Sequence, residues 1–230
     1  MSSPYSLVSE QFATEWIETH RTESQRRSSL GDYEALPPEL RESVVRAHNA
    51  LVGGLEKIEG LVRDPTRTPV SKHAVARDVA NKARGTIEKS ASEIAATAAS
   101  FEQTAHEMVV ERFEVDPKRA SIQSEIRGWI RETAKGEMGL ATIRKAMNES
   151  VEVAAVLYHS PNFLLGLAQE VRASMVADGI EKYVPKAATM MADSERSKGL
   201  AIKYGHVSNA MKRSFYNSAL ADQASLRVEA

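Results

Sequence analysis

The 230-residue sequence contains no cysteine. That absence removes disulfides, thiolate metal sites, iron–sulfur clusters and cysteine nucleophiles together. Aromatic residues are scarce at 6%, against a hydrophobic fraction of 42%. The apolar content therefore comes mainly from Ala, Val, Leu, Ile and Met, which suits closely approaching helices better than a thick globular core. A surplus of charge is missing as well, since 30 basic and 31 acidic residues leave a net charge of −1. This is nothing like the excess of a dedicated nucleic-acid binder, and near-neutrality gives little electrostatic protection against association. No run approaches the roughly 18 uninterrupted apolar residues needed to cross a bilayer, so no membrane span is expected. Met1 to Glu10 lacks both the basic region and the apolar run of a signal peptide, and the expected location is cytoplasmic.

Chemical motifs are lacking too. His20, His48, His73, His106, His159 and His206 fall in six different segments, and no Glu-x-x-His pair of the kind used by carboxylate-bridged dimetal bundles occurs. Glu102 and His106, four apart, read as a surface pair on a helix. There is no Gly-x-x-x-x-Gly-Lys-Ser/Thr and no Gly-x-Gly-x-x-Gly after a strand; Lys135-Gly136-Glu137-Met138-Gly139 has two glycines without the rest. Gly-x-Ser-x-Gly is also absent. No catalytic, cofactor-binding or metal-ligating residue is assigned, and no cofactor is expected.

What the sequence does contain is helical periodicity punctuated by proline. Tyr5, Phe12, Trp16 and Ile17 predict a short helix with an aromatic face, followed by an exposed linker over Thr19 to Asp32. Pro37-Pro38-Glu39 opens a helix with the stripe Leu40, Val44, Leu51, Leu55, Ile58 and Val62, ending before Asp64-Pro65. Gly53-Gly54 inside it implies either close packing or a kink. A second run has no proline between Pro69 and Pro117. Its stripe is Val75, Val79, Ala83, Ile87, Ala91, Ile94, Ala98, Phe101, Ala105, Met108 and Phe113, and Ala95 to Ser100 is a small-residue stretch that admits a close neighbour.

Asp116-Pro117 is a stop-and-restart signal, with aspartate capping and proline in the first turn. The next run passes through Ile122, Ile126, Trp129, Ile130, Leu140, Ile143, Met147, Ser150, Ala154 and Leu157, with a local break marked at Gly136 and Gly139. Val70–Val115 and Lys118–Tyr158 are thus expected to form one antiparallel hairpin. Ser160-Pro161 should cap and start a helix through Phe163, Leu164, Leu167, Val171 and Met175, weakened at Asp178-Gly179 and ended by Val184-Pro185. From Pro185 a looser pattern predicts a helix interrupted near Gly199 or Gly205, then a polar tail.

The expected fold is all-α, an elongated helical bundle built on a long antiparallel hairpin at about 70–158. Three segments are expected: an N-terminal short helix and linker (1–36), the bundle (37–184) and a C-terminal helical segment with its tail (185–230). In length, absence of cysteine and helix pattern along the whole chain, it resembles the small all-helical virion proteins of tailed bacteriophages, such as connectors and internal proteins. That resemblance implies multi-copy assembly and a virion location, and it transfers no catalytic residues.

The expected function is non-catalytic assembly through helix–helix contacts, with copies of the same chain or other proteins as partners. Phe12, Trp16, Ala98, Phe101, Trp129, Lys212, Arg213 and Phe215 are the candidate docking residues. Nucleic-acid contact rests only on basic pairs, of which Lys212-Arg213 beside Phe215 and Tyr216 is the best placed. A helical regulator of a protein or nucleic-acid target, and an enzyme whose site is assembled from scattered residues, are the alternatives.

Overall fold

A computed structural model describes residues 4–114 and 116–224. Val115, at the expected reversal, and the end of the polar tail beyond Ala224 lie outside the described residues. Among the described residues there are eleven α-helices and no strand: α1 (Gln11–His20), α2 (Glu23–Leu30), α3 (Pro38–Arg63), α4 (Pro69–Arg112), α5 (Ala120–Thr133), α6 (Gly139–Glu149), α7 (Val151–His159), α8 (Asn162–Leu165), α9 (Gln169–Tyr183), α10 (Pro185–Phe215) and α11 (Ser218–Gln223). A 3-10 turn, Pro117–Arg119, precedes α5. The protein is an all-α helical bundle. Its contacts divide it into a first unit, residues 1–98 with 195–230, and a second, residues 99–194, a division different from the expected segments 1–36, 37–184 and 185–230.

In the first unit, α3 begins at Pro38, where the missing N–H belongs to a turn that could not use it. It stops where Asp64 turns extended and its carboxylate accepts from the Thr66 amide at 2.8 Å. Leu40, Val44, Leu51, Leu55 and Ile58 are buried, with Leu61 in place of the half-buried Val62. The deepest seam of α4 runs through Ala76, Ala80, Ala83, Ile87, Ser90, Ile94 and Ala98. Val75, Val79 and Ala91, expected in the stripe, are only half-buried. Along the first turns alanine takes the line of closest approach, because a branched side chain there would hold the neighbour away. In the small-residue stretch only Ala98 is fully buried; Ala95, Ala96, Ala99 and Ser100 are exposed.

Two expectations fail in this unit. Residues 19–32 are not a linker, because they hold α2, whose Thr22 side chain accepts from the Gln25 amide at its start and whose Leu30 is fully buried. One apolar anchor and one cap suffice for eight residues that show no apolar period. Gly31 then takes φ +90, and a side chain on it would meet Leu200 at 3.0 Å. The second failure concerns α10, which runs unbroken through Gly199 and Gly205. Its inner face, Leu200, Tyr204, Val207, Met211 and Phe215, is buried, and tertiary packing outweighs a cost of about 1 kcal/mol per glycine.

In the second unit the expected single arm 118–158 is three helices. Asp116 accepts from the Lys118 amide at 2.9 Å and Pro117 opens the 3-10 turn, as its sequence indicates. The chain then breaks at residues 134–138, where a side chain on Gly139 would lie 2.0 Å from the Thr133 carbonyl oxygen. It breaks again at Ser150, which is extended at φ −137, ψ 118. The helix expected from Pro161 is also divided. Pro161 is the residue before α8, not its first, and Gly166 at φ +66 ends α8 after one turn. By contrast α9 passes through Asp178-Gly179 intact, and a Cβ on Gly179 would lie 3.5 Å from both Ala154 and Met147. Phe113, Ile130, Ile143, Met147, Leu157, Leu165 and Met175 form this unit's core.

Helix carboxyl ends are satisfied by side chains from elsewhere in the chain. Arg172 donates to the carbonyls of Leu157 (2.9 Å) and Tyr158 (2.5 Å) at the end of α7, and Tyr183 donates to Met147 near the end of α6 (2.7 Å). In the first unit Tyr204 donates to Leu30 (2.8 Å), His48 to Gly31 (2.9 Å) and Lys72 to Val62 (3.0 Å).

Two measurements check this packing. At Gly53 the position of a Cβ is open, whereas at Gly54 it lies 3.0 Å from the buried Phe215 ring and 3.6 Å from Ala83. Gly53→Ala should stabilise by about 0.5–1 kcal/mol through helix propensity, and Gly54→Ala should give no such gain; urea titration compares the two. Arg172→Met should destabilise by about 1.5–3 kcal/mol, the worth of charge-assisted hydrogen bonds.

Candidate functional site

The eight candidate docking residues separate by unit and by exposure. In the first unit, α1 and the end of α10 bring five of them together. The Trp16 ring stacks on His20 at a centroid distance of 4.1 Å and meets Phe215 edge-on at 6.1 Å. Phe215 is fully buried, so these two aromatics spend their surface on intramolecular packing. Phe12 stays 43% exposed beneath the Arg213 guanidinium, 4.7 Å from its ring centroid. Lys212 is exposed beside it. Ala98 is fully buried within α4 and offers nothing to a partner. In the second unit Phe101 is half-buried and Trp129 is 39% exposed.

The second unit also carries a surface that the periodicity did not single out. Phe163 is 78% exposed and Met138 70%, and Leu140 and Leu164 are exposed with them. They lie on α8 and at the start of α6, and both helices pack against α5, which carries Trp129. Phe163 and Leu164 were expected inside; they face out because Gly166 ends α8 after one turn, of which Leu165 alone is buried in the core. On α9 and the first two turns of α10, a groove of about 850 Å³ is walled by Val176, Ile180, Pro185, Ala188 and Met191, with Arg172 on its rim. Four alanines, Ala173, Ala177, Ala188 and Ala192, leave it wide.

Three of the histidines and one serine make structural hydrogen bonds. Ser29 donates to His20 Nε2 at 3.1 Å, and His20 Nδ1–H donates to the Trp16 carbonyl at 2.8 Å. This has the outline of a nucleophile and its base. It sits in the last turn of α2, where the helix dipole opposes an oxyanion. The arrangement ties α1 to α2. His159 Nε2–H donates to the Phe113 carbonyl at 2.8 Å, and His73 Nδ1 accepts the Asn217 amide at 3.1 Å. No group of three or more His, Asp or Glu placed to hold a metal ion occurs among the described residues. No helix among them is long and apolar enough to cross a membrane.

Comparison with protein families, with curated proteins and with solved structures finds no match for this chain.

The buried histidines make the first unit sensitive to acid. Burial lowers the pKa of His20, His48 and His73 below the ordinary 6.5, and the Arg26 charge adds to this at His20 and His48. The unfolded chain therefore takes up protons at a higher pH than the folded one. The stability held above about pH 6.5 is lost as pH falls below it towards the folded values. At His73, protonation also removes the acceptor for Asn217. The urea midpoint should accordingly fall between pH 7.5 and 5.5, and His73→Gln should make that fall shallower.

Proposed function

We propose that this chain is a non-catalytic assembly protein whose second unit docks copies of itself through helix–helix contacts. The observation that carries the reading is the pairing, within one unit, of outward apolar side chains and a receiving groove. Trp129, Met138, Leu140, Phe163 and Leu164 are exposed on α5, α6 and α8, and the groove on α9 and α10 has apolar walls and room for such side chains. Burying a side chain like Phe163 contributes roughly 1.5–3 kcal/mol, and apolar patches of this kind serve as interface cores. A net charge of −1 raises little repulsion between copies. Protruding and receiving surfaces of different composition make a head-to-tail contact, which closes into a ring when the rotation permits. With its resemblance in length, cysteine absence and helix pattern, this supports a component of a tailed-bacteriophage virion.

Native mass spectrometry across the micromolar range tests the reading. The wild-type chain should form a closed oligomer. Phe163→Asp with Leu164→Asp, and separately Ala177→Trp to fill the groove, should return it to monomer with unchanged helical circular dichroism. A wild-type chain that stays monomeric at the highest concentration overturns the proposal.

A further inference from the structure

The groove on α9 and α10 borders a half-buried charge that no acid answers. Arg27, Arg46, Arg77, Arg84 and Arg144 are half-buried too, and each meets a carboxylate. Among the described residues no ion pair involves Arg172. Its Nε and Nη2 donate to the Leu157 and Tyr158 carbonyls, neutral groups that hold the guanidinium in place without cancelling its charge. Nη1 donates to no group among the described residues, so its N–H donors remain open to a ligand.

That cation stands at one end of an apolar strip. Arg172, Val176 and Ile180 line the groove at steps of four and so share a face of α9, and Ala188 and Met191 of α10 stand opposite. From Arg172 to Ile180 the helix rises about 12 Å. The carboxylate on the groove wall, Glu181, is exposed and lies beyond Ile180, away from Arg172 along the helix. An apolar strip with a fixed, uncompensated cation at one end suits a molecule with one terminal anion and one saturated chain. Its carboxylate would meet Nη1 in a charge-assisted hydrogen bond, and its chain would cover Val176, Ile180 and Met191. A guanidinium already held by two carbonyls loses little freedom when the anion arrives. A phosphate would be bound best by the paired N–H fork, part of which the carbonyls already occupy.

We propose that this groove binds a medium-chain aliphatic carboxylate, with its head on Arg172 and its chain along Val176, Ile180 and Met191. The groove is the one that the assembly reading gives to a neighbouring copy, so carboxylate and copy compete for it. Binding itself does not rest on assembly and is measured on the full chain at a dilution where it is monomeric. Isothermal titration calorimetry with sodium decanoate tests the proposal. Decanoate should bind saturably, one per chain. Decyltrimethylammonium, with the same chain and the opposite charge, should bind roughly tenfold more weakly or worse. Hexanoate, four methylenes shorter, should also lose roughly tenfold or more. These comparisons keep Arg172 in place, whose removal would also release the end of α7. Ala177→Trp, at an exposed position on the groove wall, should abolish decanoate binding with unchanged helical circular dichroism. No saturable binding tighter than about 1 mM, equal binding of decanoate and decyltrimethylammonium, or binding that survives Ala177→Trp overturns the proposal. A chain that stays monomeric at every concentration and still binds decanoate sustains this site and overturns the assembly reading alone.

Discussion

An α-helix ends in carbonyls that its own backbone cannot satisfy, and a chain of many packed helices meets this problem repeatedly. Here it is met by long side chains reaching across from other elements. Arg172 serves the end of α7, Tyr183 that of α6, Tyr204 and His48 that of α2, and Lys72 that of α3. Each donor must arrive at one place, so these contacts fix rotation and register as well as filling a valence. The hydroxyl of Tyr204 is an instance. Its fully buried ring and its bond to Leu30 set which face of α10 looks inward, and a turn of 100° by one residue would carry lysine into the core.

Close approach is the second condition. Phe215 reaches the backbone of α3 because Gly54 presents no side chain, and Ala83 of α4 stands beside it. Trp16 closes on the same ring from α1. Four helices of the first unit therefore depend on one residue pair. The second unit solves its packing differently. Breaks at residues 134–138, at Ser150 and at Gly166 leave short helices, on which Trp129, Met138, Leu140, Phe163 and Leu164 stay exposed among polar neighbours.

Proline made much of this legible in the sequence. Helix starts at Pro38, Pro69 and Pro185, and the ends before Asp64-Pro65 and at Tyr183, follow from the lost N–H and the restricted residue before proline. Glycine was a poorer guide, because its effect depends on what surrounds it. Gly199 and Gly205 are held within a long packed helix, Gly166 ends a short one, and Gly139 is required by a carbonyl. Ser150 kept the three-four spacing of its neighbours, so periodicity gave no sign of a break. Thr22 was a readable cap for α2, but one buried leucine made no pattern. The pairings Phe12–Arg213 and Trp16–Phe215 join positions some 200 residues apart, beyond any local signal.

The glycines that face open space carry one more consequence. At Gly85, Gly199 and Gly205 a side chain would meet no atom within 4 Å, and the chain has no native thiol to compete. Each of these positions can therefore take a single cysteine as a chemical handle. Spin labels or fluorophores placed there would report distances along the two longest helices of the molecule without disturbing the packing that holds them.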